Sequence, residues 1–343
     1  MSQRSIVVLG AVTLIVLLIA LLVTGPRPGA DSEETGYLIP GLRAQINELN
    51  ALDVVAADGE LIAALRRGRD RWLVHNRHDY EADFRLIHDL LRELAAARLA
   101  EPRTSLPEWY PRLGLADIGT PEAGGVQLEF PGTEFPAVIL GRREAATGGR
   151  YARLAGAAQT WLTDRPLQVP EQAVGWLEHS VMDIPASELA SVTIVHPDGD
   201  RVRLRPADDE GDQWVLLDVP EGREAGPRWE IRPVANGLAN IVLEDVRRHD
   251  EALPDSAVRV LYVTRDGLNF VASLFADDAG HWAHFSVSAE IATDAEADAD
   301  LEHLLADAAA VDARLSPWQF RLPQRKVEIM TRRQEELLAP LRD

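Results

Sequence analysis

Four histidines stand in two pairs spaced i, i+3: His75 with His78, and His281 with His284. Imidazole is a common ligand of transition metals, so these pairs are the first candidates for a metal site. On a strand, a three-residue step sends two side chains to opposite faces, so one strand cannot chelate with both. They are read as solvated or edge histidines. The acidic run Asp294, Glu296, Asp298, Asp300 and Glu302 is the next candidate, for calcium. An EF-hand loop counted from Asp294 needs Gly at position 6 and Glu at position 12, where this chain has Ala299 and Leu305. The run reads instead as the acidic start of a helix, which suits the helix dipole. Gly148-Gly149 lacks a following Gly-Lys-Ser/Thr, so it is no phosphate loop, and no serine sits in a Gly-x-Ser-x-Gly elbow. With no cysteine there is no thiol chemistry and no disulfide framework. No carboxylate pair stands out as an acid–base couple. Trp72, Trp109, Trp161, Trp214 and Trp282 could stack on sugars, although strand tryptophans more often pack against a helix. The expectation is no catalytic residue, no cofactor and no metal.

Composition narrows the partners. The chain has 343 residues, 46% of them hydrophobic, and a formal charge of -20. That apolar share suits globular structure and is too high for disorder. A surface this acidic repels phosphate backbones, which argues against nucleic acid.

Ile6–Val23 is one apolar run without a charge. As a helix it would be roughly 27 Å long, close to a hydrocarbon core of about 30 Å. It is longer than the usual apolar region of a signal peptide, and Pro26 follows the best cleavage position. The run is therefore expected to be an uncleaved transmembrane anchor at 1–24. Its basic flank Arg4 places the N-terminus in the cytoplasm and the bulk outside the inner membrane, in the periplasm.

Behind a linker and lead-in at 25–50, periodicity marks the elements. Leu52–Ala57 and Glu60–Leu65 read as strands joined by the turn Asp58-Gly59, and Arg71–Val74 as a third strand. Ala82–Arg98 reads as an amphipathic helix with Phe84, Ile87, Leu90, Leu91 and Leu94 on one face and Asp83 as its cap or first-turn acid. Short strands follow, at Val126–Phe130, Ala137–Leu140, Tyr151–Leu154 and Gln159–Leu162, and then a helix from Pro170 to about His179. The pattern begins again at Leu189–Val195, with the turn Asp198-Gly199, a return strand Val202–Arg205 and Trp214–Leu217. Helices are expected at Val234–Val246, Ala295–Leu315 and Val327–Leu338, with strands between the first two at Val258–Val263, Phe270–Phe275 and Trp282–Val287.

Asp58-Gly59 aligns with Asp198-Gly199, Trp72 with Trp214, and Gly149-Arg150-Tyr151-Ala152-Arg153 with Gly280-His281-Trp282-Ala283-His284. The expected fold is α+β: an N-terminal transmembrane helix, then two repeated modules of mainly antiparallel sheet with packed helices, at 51–183 and 184–323. A helical tail at 324–343 ends the chain.

Several stretches also occur together in one family. They are Asp58-Gly59, Trp72-Leu73-Val74, Tyr80-Glu81-Ala82-Asp83, Arg98-Leu99-Ala100-Glu101, Trp109-Tyr110-Pro111-Arg112-Leu113-Gly114-Leu115 and Gly149-Arg150-Tyr151-Ala152-Arg153. Across most of 38–322 the chain resembles an uncharacterised bacterial domain-of-unknown-function family. The resemblance implies membrane-anchored proteins often encoded beside gliding-motility-type ABC transporter components, and it brings no catalytic residues. The expected function is a membrane-anchored, non-enzymatic accessory subunit of an ABC-type transport or cell-envelope complex. A periplasmic module binding a glycan or small ligand is the alternative, and a hydrolase the third reading. Trp109 and Tyr110, in a proline-rich loop, are the candidate partner contacts; the competing reading packs them inward as a loop anchor.

Overall fold

The structure is a computed structural model, and it describes residues 36–207, 213–289 and 299–340. The chain opens with the short helix α1 (Leu42–Gln45), then lays down β1 (Ala51–Val55), β2 (Leu61–Arg67), β3 (Trp72–Val74) and β4 (Tyr80–Glu81). Next come α2 (Phe84–Ala96), β5 (Leu99–Pro102) and a one-turn helix α3 (Tyr110–Leu113). The strands β6 (Val126–Glu129), β7 (Val138–Arg143), β8 (Arg150–Leu154) and β9 (Trp161–Thr163) complete a nine-stranded sheet. After β10 (Ser180–Met182), a second sheet begins with β11 (Leu189–Val195), β12 (Arg201–Pro206) and β13 (Trp214–Leu216). Helix α4 (Arg228–Ala235) leads to β14 (Ile241–Val242) and β15 (Asp245–Arg248), then β16 (Val258–Thr264), β17 (Leu268–Asp277) and β18 (Gly280–Ala289). Helix α5 (Ala299–Leu315), β19 (Trp318–Arg321) and α6 (Gln324–Met330) follow.

The two large sheets follow one path. The first has the order β4-β3-β2-β1-β6-β7-β8-β9-β5, and the second β13-β12-β11-β16-β17-β18-β19-β15. Apart from β4, each strand of the first has a counterpart in the second. Trp72 and Trp214 open matching strands, and each is 5% exposed. The turns Asp58-Gly59 and Asp198-Gly199 also match, with glycine φ of 91° and 90°, which only glycine adopts without strain. In each turn the aspartate carboxylate accepts the amide two residues on, from Glu60 or Asp200.

One continuous core runs through both sheets, from Leu52 and Leu65 to Phe285 and Phe320. The halves are joined by the small β10–β14 sheet and by Tyr80, whose ring meets Trp318 edge-on at 5.0 Å. Arg314 Nη1 donates to Val181 O across the same seam at 2.8 Å.

The expected α+β fold behind a transmembrane helix is corrected by this architecture. The described chain is mostly antiparallel sheet, and no described helix is long and apolar enough to cross a membrane. The run Ile6–Val23 lies outside the described residues. Helix was over-read in three places. Val234–Val246 is only the end of α4: the chain breaks at Asn236-Gly237, and the β-branched Ile241, Val242 and Val246 enter strands. A Cβ on Gly237 would stand 2.0 Å from the Tyr262 hydroxyl, so the break lies where the backbone must approach a buried ring. The stretch from Pro170 to His179 forms one 3-10 turn, Ala173–Trp176, fixed by Trp176 Nε1 donating to Pro170 O. The terminal helix stops at Met330. Of the two roles open to Asp83 at the start of α2, the structure shows the cap: its carboxylate accepts the Leu86 amide at 3.0 Å.

Candidate functional site

The residues singled out for chemistry do not converge. His75 and His78 lie on a 3-10 turn and just beyond it rather than on a strand, and His75 pairs with Asp79 at 2.8 Å. His281 and His284 lie on β18, where alternation separates them. His284 instead lies against His249, ring centroids 3.9 Å apart and planes tilted by 37°, and its Nε2 donates to Ser316 O. No group of three or more potential metal ligands occurs among the described residues. Asp294, Glu296 and Asp298 lie outside them. Trp72, Trp214 and Trp282 are core residues, so they present no stacking face to a sugar.

Trp109 and Tyr110 part company. Trp109 is 42% exposed, with the Arg112 guanidinium 4.3 Å from its ring centre and Leu106 exposed nearby in the chain. Tyr110 is buried: its hydroxyl donates to Ala158 O at 2.5 Å, and the Arg153 guanidinium lies 4.7 Å from its ring centre. Arg153 reaches up from β8 to Leu115 O, Ala157 O and the Asp117 carboxylate, stapling the loop to the sheet. Tyr110 is therefore corrected from candidate contact to loop anchor.

That loop covers the outer face of the first sheet. It comes so close that a Cβ on Gly141 would stand 2.1 Å from Leu113 O, and one on Gly125 2.3 Å from Gly114 O. The opposite, core-facing side opens at one end of the sheet into a cavity of 770 Å³. Its apolar wall comes from Ile62 on β2, Leu86 on α2 and Val169 in the segment after β9. Its polar wall is cationic: Arg142 and Arg143 end β7, and Arg150 opens β8.

Arg150 is the fixed member. It is buried, with Nε donating to Gly141 O at 2.8 Å and Nη1 to Leu167 O at 2.6 Å. Desolvation pushes its pKa down to about 10, and nearby Arg143 pushes the same way; Glu171 at the rim opposes them. Arg142 and Arg143 are exposed, and neither forms an ion pair among the described residues. Such a group can receive a carboxylate or phosphate oxygen, since guanidinium presents several donors in one plane. Sequence reasoning passed over this cluster because single arginines are common here and the strand pairing that gathers them is not local. The one available signal was Gly149-Arg150, which stands in the repeated stretch and in the family resemblance but not among the candidate site residues.

Most of the cavity wall, from Leu86 to Glu171, lies within the part of the chain that a known family matches, while Ala56, Ala57 and Ile62 precede it. No curated protein and no solved structure matches the chain. A family described as "Domain of unknown function (DUF4340)" matches residues 72–257, more than half of the chain and including β7, β8 and the segment that walls the cavity, so the chain belongs to this family.

Proposed function

We propose that the chain is a non-enzymatic accessory subunit of an ABC-type transport or cell-envelope complex, and that it grips an anionic group of its partner at the cavity of the first sheet. The observation that carries this reading is the gathering of Arg142, Arg143 and Arg150 at one concave place on a chain of formal charge -20. Burying Arg150 without an ion-pair partner is costly, and a bound anion would offset that cost. A local cationic patch on an acidic protein also selects and steers acidic partners while the rest of the surface repels them. The exposed Leu106 and Trp109 lie on the loop that covers the other face of the sheet, and serve as the comparison surface.

A small anionic ligand is the second reading, favoured by a cavity volume within the range of about 300–1,000 Å³ common for small-molecule sites. The test is affinity recovery of the native complex with two double variants, Arg142→Glu with Arg143→Glu, and Leu106→Ala with Trp109→Ala. The arginine variant is expected to lose the partner and the aromatic variant to keep it. The reverse outcome, with both variants folded, refutes the reading.

A further inference from the structure

The two sheets treat one corner differently. In the second sheet the chain leaves β19 and forms α6, which buries Val327 and Met330 and packs on α4, on β18 and on the 236–238 turn. The segment just after α6 reaches the end of β11, where His196 Nε2 lies 3.5 Å from Arg332 O. In the first sheet the strand matching β19 is β9, and the chain leaving it forms no helix over 164–172. The cavity lies at that corner. Ala56 stands two residues before its Asp-Gly turn, as His196 does before the other; Leu86 contributes from α2, the counterpart of α4; and Arg150 follows Gly149 as His281 follows Gly280.

The corners also differ in charge. Across the β7–β8 ladder Arg143 faces Arg150, whereas across β17–β18 Ala276 faces His281. The corner beside this chain's own helix thus has an alanine and a histidine in that pair, and the open one has two arginines.

We infer that the cavity receives an amphipathic helix from a partner protein, seated as α6 is seated in the second sheet. Its apolar side chains, spaced as Val327 and Met330 are, lie on Ile62, Leu86 and Val169, and its carboxylates meet Arg142, Arg143 and Arg150. This rests on the proposed partner site and adds the form and charge of what enters it.

The test places a photo-crosslinking residue at Gln168, an exposed position lining the cavity, in the full chain in its native host, with Leu106 as the comparison position. The expected adduct from Gln168 maps to another protein, in a stretch with apolar residues three and four apart and at least two Asp or Glu. A synthetic peptide of that stretch should gain helicity on binding. It should bind about tenfold more weakly to Arg143→Glu and recover when its facing carboxylate is changed to Arg. No adduct, an adduct with a second copy of this chain, or an adduct in a stretch without that spacing overturns the inference. So does saturable binding of inorganic phosphate at the arginines without any protein adduct. A non-helical adduct combined with loss of the complex in the Arg142/Arg143 variant removes the helix and leaves the partner site; an unaffected complex removes both.

Discussion

Arg143 and Arg150 face each other across the β7–β8 ladder, and neither forms an ion pair with a carboxylate among the described residues. Like charges directly opposite on neighbouring strands repel, so this pairing costs stability in the isolated chain. The two arginines nevertheless differ. Arg150 satisfies two backbone carbonyls inside the fold, whereas Arg143 reaches solvent.

Substitution should therefore act in opposite directions. Arg143→Gln is expected to stabilise the chain by about 0.2–1 kcal/mol by removing the repulsion. Arg150→Met is expected to destabilise it by about 1–3 kcal/mol, because Gly141 O and Leu167 O lose their donor. Urea unfolding of both variants measures the signs. A loss of stability in Arg143→Gln would contradict the account.

Gly141→Ala is expected to cost about 1–3 kcal/mol, since its Cβ would meet Leu113 O and the covering loop must lift. The Leu115 amide, which donates to Tyr110 O at 2.9 Å, should then exchange with deuterium faster than in the parent chain. Unchanged protection at Leu115 would show that the loop is held some other way.

His284 gives the fold a pH dependence. Desolvation holds its folded pKa below the usual value, with neighbouring His249 adding to the effect, while the Ser316 carbonyl and Asp312 oppose it. The unfolded chain therefore binds the proton more readily, so this stabilising contribution is complete above about pH 6.5 and is lost as pH falls toward the depressed folded value. His284→Gln keeps a donor for Ser316 O and does not titrate. Between about pH 7.5 and pH 5 it should lose less stability than the parent chain. Parallel pH profiles would rule out His284 as a contributor.

Tyr80 binds the halves together. It belongs to β4 of the first sheet, yet its ring packs edge-on against Trp318 at 5.0 Å and Phe320 at 6.2 Å in the second. Tyr80→Ala is expected to cost about 3–5 kcal/mol, as for other large core aromatics. Because one core spans both sheets, the parent chain should unfold in one transition, with tryptophan fluorescence and circular dichroism coinciding. Two separate transitions in the parent would refute the joint core.

Local rules made the hairpins legible. Asp-Gly supplies a left-handed glycine and a capping carboxylate within a few residues, so the turns at 58–59 and 198–199 follow from the letters alone. The main body of α2 was equally plain, because Ile87, Leu90, Leu91 and Leu94 bury one face of a 3.6-residue period. Phe84 fits the same period and is 59% exposed, since among the described residues none covers it. Short apolar runs such as Ile241-Val242 carried no such information: their spacing suits helix and strand alike, and pairing with β10 decided the outcome.

Sequence by itself determined the acidic charge, the absence of cysteine, the two Asp-Gly turns and the burial of Trp72 and Trp214, because each depends on composition or on neighbours a few residues apart. Tertiary structure alone decided the site. Trp109 and Tyr110 are adjacent in the chain, yet only the arrival of Arg153 and Ala158 from β8 and beyond turned the tyrosine inward and left the tryptophan outside. Arg142, Arg143 and Arg150 became a cluster because a ladder between two strands set them side by side, and long-range pairing of that kind is a property of the folded sheet rather than of any short window of sequence.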